Sequence, residues 1–386
     1  MRPLLLATTA ALLAACNASE SVATNNDGDA QPAATGEQGR PFQVQEIARF
    51  DEPWAMTFIP GTGQALVTQK AGKLMLWNDG GAVVEVAGVP TVDYGGQGGL
   101  GDVILHPDFA NNGFIYLTWA EAGEGDTRGA AVGRGRLVLE GETPRIEGMQ
   151  VIWRQDPKVT GRGHYGHRLA FSPDGFLYIS SGERQKFDPA QDRNANLGKI
   201  IRLTDAGGVP SDNPFYDQGP ITSQIWSLGH RNPLGIAFDG EGRLWEHEMG
   251  PEGGDEFNLI EKGQNYGYPI VSDGDHYDGR DIPDHETRPE FAEPKITWTP
   301  VVSPAGLIVY WGDMFPEWRG DALMGGLSGQ ALLRIDLDGT SAKVGDRWDM
   351  GQRIREVEQG PDGAIWLLED EDEGQGGRLL KLTPAG

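Results

Sequence analysis

Hydrophobic positions along the chain recur in one phrase: an apolar run, a short turn rich in Pro, Asp and Gly, and a second apolar run. It reads WAMTFIPGTGQALVTQ from Trp54, VILHPDFANNGFIYLTW from Val103, RLAFSPDGFLYISSG from Arg168 and GIAFDGEGRLWEHEMG from Gly235. A looser copy, GLIVYWGDMFPEWRGDALMGGL, begins at Gly306, and VEQGPDGAIWLLED begins at Val357. Pro presets the entry dihedral of such a turn, Asp bonds its own backbone and Gly takes positive φ. The flanking β-branched, Leu and aromatic residues suit strands buried on at least one face. No long stretch repeats apolar residues at helical spacing. Six hairpins, roughly 50 to 70 residues apart, predict an all-β fold, a six-bladed β-propeller with four-stranded antiparallel blades. A β-sandwich is the competing architecture, and it does not explain six similar units.

The N-terminus departs from this pattern. MRPLLLATTAALLAAC has one positive charge, an apolar run and small residues before Cys16, which reads as a secretory signal over residues 1–15. LLAAC resembles the bacterial lipoprotein signal, whose cysteine becomes the lipidated first residue. That places the protein on the periplasmic side, attached to the outer membrane only through a lipid on Cys16. Residues 16–40 hold almost no large apolar side chain and read as a flexible tether; residues 41–386 form a single propeller domain. Cys16 is the only cysteine, so no disulfide forms within the chain. The formal net charge of −25 repels nucleic acid and excludes it as a partner.

Propeller loops converge at one end of the axis, so the segments between repeats build a shared site. GRGHYGHRL at 161–169 places His164 and His167 in a glycine-rich loop. A neutral imidazole there titrates near working pH and suits a general base, although a lone loop His is often structural. LGHRNPLGIAF at 228–238 offers the planar donor fork of Arg231 and the amide of Asn232, or a structural Arg–Asn turn. EMGPEGGDEFNLIEKGQNYGYP clusters Glu248, Glu252, Asp255 and Glu256 among glycines; exposed carbonyls with carboxylates suit Ca²⁺, or form a solvated acidic loop. In GQRIREV, Arg353 and Arg355 lie two apart and share one strand face. They repel unless an anion sits between them; a multi-carboxylate ligand fits, as do surface salt bridges to Glu356 and Glu358. In YGGQGGLGD, Gln97 donates to a flat ligand or sits in a plain glycine turn. Trp298 and Tyr165 are candidate sugar-stacking aromatics.

These motifs, in this order over residues 45 to 384, resemble the soluble pyrroloquinoline quinone (PQQ)-dependent aldose sugar dehydrogenases of bacteria, six-bladed propellers of the glucose/sorbosone dehydrogenase type. The resemblance implies oxidation of the anomeric carbon of an aldose to a lactone, with hydride passing to PQQ. It implies His164 as general base and Arg231 as the stabiliser of charge on the quinone. It places Gln97, Arg231, Asn232, Tyr277, Arg353 and Arg355 on the cofactor. Gly250 and Pro251 become carbonyl donors to Ca²⁺, and Glu256 and Tyr266 positions associated with calcium. Departures accompany it. Gly163 stands where some relatives carry an Asp that orients the base, which leaves Glu183 as a candidate orienter. His167 replaces a usually small residue. Ser328 stands where some relatives place a Lys on the cofactor. Two other functions compete: a non-catalytic carbohydrate- or protein-binding propeller, and a calcium-dependent propeller lactonase. The sequence identifies neither the sugar nor the electron acceptor.

Overall fold

The computed structural model describes residues 39–370 and 374–386; the signal segment, Cys16 and most of the tether lie outside them. Six four-stranded antiparallel sheets follow one another along the chain. Their innermost strands are Pro53–Ile59, Leu100–Leu105, Gly166–Phe171, Pro233–Phe238, Pro304–Val309 and Ile354–Gln359, and they define blades 1 to 6. Each inner strand starts one to three residues before one of the six sequence phrases and runs into it. The outer strand of blade 6 comes from the other end of the chain. Phe42–Phe50 pairs antiparallel with Gly377–Pro384 and closes the ring, so both ends of the chain build blade 6.

Apolar side chains fill the seams between blades. Separate buried clusters occupy the junctions of blades 1 and 2, 2 and 3, 4 and 5, 5 and 6, and 6 and 1. The junction of blades 3 and 4 holds the smallest of these six seams, built around Tyr178, Ile200, Ile236, Leu244, Ile260 and Tyr266. Buried Glu246, Glu248, Glu256, Asn258, Ser227 and His230 share blade 4 and its approach. This is the polar seam of the molecule.

A shared irregularity aims the inner strands. Every blade shows a register shift at the first residues of its inner strand: Pro53/Ala55, Leu100/Val103, Gly166/Leu169, Pro233/Gly235, Ala305/Leu307 and Ile354/Glu356. A β-bulge kinks the strand and turns side chains away from strict alternation. Repeated six times at one end of the axis, it collects side chains from all blades into one mouth. The segments on either side of blade 4's third strand, Asp255–Ile260, pair as a small two-stranded sheet, Glu252–Gly253 with Gly274–Asp275, and Tyr277 follows it. Among the described residues no helix is long and apolar enough to cross a membrane.

Candidate active site

Two adjoining cavities open at this mouth. The larger, about 330 Å³, is lined by Gln97, Asn232, Arg353, Arg355 and Asp370 together with Trp54, Tyr165 and His167. The smaller, about 230 Å³, is lined by His164, Glu183, Arg231, Pro251, Tyr268 and Tyr277. They meet through shared contacts. The His164 amide donates to Gln97 Oε1 at 2.7 Å, and Arg231 Nη1 donates to the Met249 carbonyl at 2.9 Å, Met249 being a wall of the larger cavity. The sequence-based expectation of one cofactor set is thus divided. His164, Arg231 and Tyr277 face the smaller cavity; Gln97, Asn232 and the two arginines face the larger.

His164 is 5 % exposed, and its Nδ1 lies 2.5 Å from Glu183 Oε1. Glu183 is fully buried and also accepts the amides of Lys186 and Phe187. Burial pushes the Glu183 carboxyl upward, but the bond to and charge of His164, then the Phe187 amide and the Arg231 charge, outweigh it and hold it below the usual range. An ionised carboxylate only accepts, so Nδ1 carries the imidazole proton and Nε2 keeps its lone pair. Burial first, then the charges of Arg231 and Arg184, pull His164 below its ordinary value against the Glu183 bond. The ring is therefore neutral at neutral pH, with a base nitrogen to present. Glu183 supplies the carboxylate beside His164 that Gly163, without a side chain, cannot.

Arg184 fixes the loop around this pair. Its guanidinium donates to the carbonyls of Gly161, Gly163 and Arg128, and its amide donates to the His164 carbonyl at 3.1 Å. The local backbone is held off its preferred conformations. Among the described residues eight non-glycine residues have positive φ, and five of them are His164, His167, Arg184, Gln185 and Phe187. Such outliers cluster where surrounding structure over-determines a functional geometry. Gly182 is required here because a Cβ at that position would overlap the His164 carbonyl. Sequence reasoning did not single out Arg184, since nothing in SSGERQ separates a loop clamp from a surface arginine.

The arginine pair has its anion. Asp370 Oδ2 lies 3.0 Å from Arg353 Nε and 3.0 Å from Arg355 Nη2; neither arginine forms the expected bridge to Glu356 or Glu358. Burial raises the Asp370 carboxyl, but Arg355 and then Arg353 outweigh it and keep it low. Two cations against one carboxylate leave a positive charge on the wall of the larger cavity, in a chain whose net charge is −25. Asn232 is buried, accepts the Gly166 amide at 3.4 Å through Oδ1, and is 1 % exposed. Arg231 is buried with its Nε unpartnered, while its Nη2 lies 3.4 Å from the hydroxyl of Tyr277, a residue 73 % exposed. Ser328 is exposed and absent from both cavity walls; it bonds Ser303 Oγ at 2.7 Å, and Ser303 lines the larger cavity. Trp298 is fully buried between blades 4 and 5 and is no sugar platform; Tyr165 lies in the wall of the larger cavity, away from His164's side of the site.

The expected calcium residues also divide. Side chains alternate along the strand Asp255–Ile260. Asp255 turns toward the lip of the site, accepting the amides of Gly250 and Val302, and Pro251 lines the smaller cavity. Glu256 turns the other way, into the polar seam, where its Oε2 accepts Asn258 Nδ2 at 3.1 Å. Asn258 also donates to Glu246 at 3.1 Å. Tyr266 uses its hydroxyl on the Leu259 carbonyl and its own carbonyl on His285 Nε2 at 3.1 Å. Ligand atoms of His230, Glu246 and Glu248 lie within 4.8 Å of one another, and Glu246 Oε1 and Asn258 Oδ1 are buried without partners. Burial and mutual repulsion push Glu246 well up and Glu256 to about 8. Buried acceptors facing one another are what a hard cation relieves, so the donor set fits Ca²⁺. Glu246 and His230 were not anticipated: Glu246 lies inside a phrase read only as a hairpin, and in LGHRNP only Arg231 and Asn232 were singled out.

The axial mouth of a six-bladed propeller thus joins a carboxylate-bonded histidine to an arginine pair that shares one aspartate. Residues 50–381 match the Glucose / Sorbosone dehydrogenase family, and the chain belongs to it. It is 38 % identical over 344 residues to the aldose sugar dehydrogenase YliI of Escherichia coli strain K12, covering 87 % of this chain and 91 % of that one. The crystal structure of the soluble aldose sugar dehydrogenase from Escherichia coli superposes with a TM-score of 0.84 at 37 % identity, over 89 % of this chain and all of that one. The PQQ-bound aldose sugar dehydrogenase from Streptomyces coelicolor superposes with a TM-score of 0.72 at 28 % identity, over 89 % and 98 % of the two chains.

Proposed function

We propose that this protein oxidises aldose sugars at the anomeric carbon, using PQQ and Ca²⁺, with His164 as general base. The observation that carries the reading is the His164–Glu183 pair standing beside the Arg353–Asp370–Arg355 wall. PQQ has three carboxylates, which suits the surplus positive charge of the larger cavity. When bound, it supplies a two-electron acceptor and Ca²⁺ supplies a Lewis acid, chemistry the side chains lack. Arg353 and Arg355 hold the carboxylates, and Asn232 and Gln97 frame the same wall. His164 Nε2 takes the proton of the anomeric hydroxyl in the adjoining cavity. Arg231 presents its guanidinium there and would oppose the negative charge that the quinone gains with the hydride from C1, while the hydroxyl proton goes to His164. The carbonyls of Gly250 and Pro251 are the proposed donors to the catalytic Ca²⁺. Glu256, Glu246, Glu248 and the Tyr266 carbonyl are the proposed surroundings of a second, structural cation. On the N-terminal sequence we place the enzyme outside the cytoplasm, lipid-anchored through Cys16.

Purified protein given PQQ, CaCl₂, an aldose and an artificial electron acceptor is expected to show sugar-dependent dye reduction. Arg353→Ala with Arg355→Ala is expected to weaken PQQ binding by about a hundredfold, from the loss of two charge-assisted contacts of roughly 1.5 kcal/mol each. Absence of PQQ uptake by the wild type ends the reading.

The polar seam gives an independent expectation. Chelation with EGTA lowers the melting temperature, and CaCl₂ restores it, because a cation bound only by the folded state stabilises it by mass action. In Glu256→Gln the response to CaCl₂ shrinks, as read by differential scanning calorimetry at pH 8. An equal calcium response in wild type and Glu256→Gln would remove the cation from this seam.

A further inference from the structure

We infer that His167 is a cofactor-contacting residue, whose ring N–H donates to a carboxylate of the quinone bound in the larger cavity; the inference rests on the reading above. His167 is 2 % exposed, lines that cavity, and has neither ring nitrogen partnered. Buried polar atoms nearly always find a hydrogen bond, and an orphan in a binding cavity marks a partner that arrives with the ligand. The ring cannot turn to find one inside the protein. It stacks on Tyr165 at 5.1 Å and 11° between planes, and meets the edge of Trp54 at 5.9 Å and 88°. Behind Tyr165, the Arg184 guanidinium sits 3.7 Å from the ring centroid. On the remaining side, Gly101 leaves only enough room for His167: a Cβ there would come within 2.9 Å of His167 Cβ and Cγ.

The backbone makes the same point. His167 has φ +78 and lies inside the blade 3 bulge between Gly166 and Leu169. Its own carbonyl is fixed by Thr118 Oγ1 at 2.9 Å. Bulges beside active sites re-aim a side chain, and a non-glycine residue held at positive φ is a local strain. Burial, followed by the nearby Arg184 and Arg168 charges, lowers the imidazole to about 3. The ring is therefore neutral, with one N–H to donate and one lone pair to accept. Beside it, the buried Tyr165 hydroxyl is also unpartnered, so the cavity carries a second donor on the same wall.

The test is an equilibrium titration of the purified full chain with PQQ in CaCl₂, followed by tryptophan quenching. His167→Phe and His167→Gly are each expected to raise Kd by about tenfold, or 1.4 kcal/mol. His167→Gln keeps an N–H and is expected to stay within about threefold of the wild type. Melting without PQQ provides the second readout. His167→Phe removes two unpartnered nitrogens, so its melting temperature should equal or exceed that of the wild type; a purely structural histidine would lower it. An unchanged Kd in His167→Phe, or an equal loss in His167→Gln, overturns the inference. If the wild type itself takes up no PQQ, the functional reading fails first and this inference falls with it; wild-type uptake with an indifferent His167→Phe sinks this inference alone.

Discussion

His164→Ala is expected to lower kcat on an aldose by about 10²–10⁴, the usual contribution of a positioned general base. PQQ affinity should change little, because His164 faces the smaller cavity while the arginine pair lies in the larger. Glu183→Gln separates two effects. The wild-type carboxylate fixes the tautomer with the proton on Nδ1; a glutamine can instead donate to that nitrogen and leave Nε2 protonated and useless as a base. Activity is therefore expected to fall although His164 is intact. The pH profile moves in a defined direction. His164 already lies below its ordinary value because burial and the Arg231 and Arg184 charges oppose the imidazolium, and Glu183 is the group that resists them. Without that carboxylate the imidazolium loses its support, so the acidic limb of kcat/KM shifts to lower pH. Steady-state rates from pH 5 to 9 with PQQ, CaCl₂ and an artificial acceptor give both readouts. A His164→Ala enzyme within threefold of the wild type, or an acidic limb that rises in Glu183→Gln, would remove His164 from the chemistry.

The propeller was legible because its signal is repeated. Each phrase sets two strands and a turn by local chemistry, and six copies fix the blade number. Ring closure was not legible: Phe42–Phe50 carries no mark that it pairs with Gly377–Pro384, since strand pairing across the whole chain is a tertiary choice. Residues in unusual motifs, His164, Arg231 and Arg353 among them, do line the cavities at the mouth. Their partners were not legible. Asp370 sits inside the acidic run EDEDE of residues 369–373, where nothing marks it off from its neighbours, yet it sits between two guanidiniums. Asp255 and Glu256 are adjacent in sequence and were grouped together, but strand alternation sends one to the site lip and the other into the seam between blades 3 and 4. Gln97 was expected to face a ligand, and its carbonyl instead fixes the His164 amide, leaving its NH₂ for the cavity. In each case the missing information is the direction of a side chain, which bulges and register set and composition does not.

The largest expected loss of stability comes from the ring's axis. Arg168 lies on the inner strand of blade 3, and its guanidinium reaches four other blades. It pairs with Glu356 of blade 6, donates to the Leu234 carbonyl of blade 4 at 2.8 Å, lies 3.7 Å from Asp102 of blade 2, and sits 4.2 Å from the Trp54 ring of blade 1. Arg168→Met is expected to cost about 3–5 kcal/mol, since it leaves buried carboxylates without their cation. The cost should grow with pH. Burial holds Glu356 at about 7 even beside Arg168, well above its unfolded value, and burial raises Asp102 too. A raised carboxyl favours the folded state below its unfolded pKa, and that advantage is lost as pH rises through the folded one. Without Arg168 both groups rise further, so the penalty is smaller at pH 5, where protonation neutralises them, and larger at pH 8. Adding Glu356→Gln to Arg168→Met removes one stranded charge and is expected to recover part of the loss at pH 8 and little at pH 5. Urea unfolding of the three proteins at both pH values measures this. A loss under 1 kcal/mol in Arg168→Met, or one that does not grow between pH 5 and pH 8, would show that the axis is wet and that this cation is not what joins the blades beneath the site.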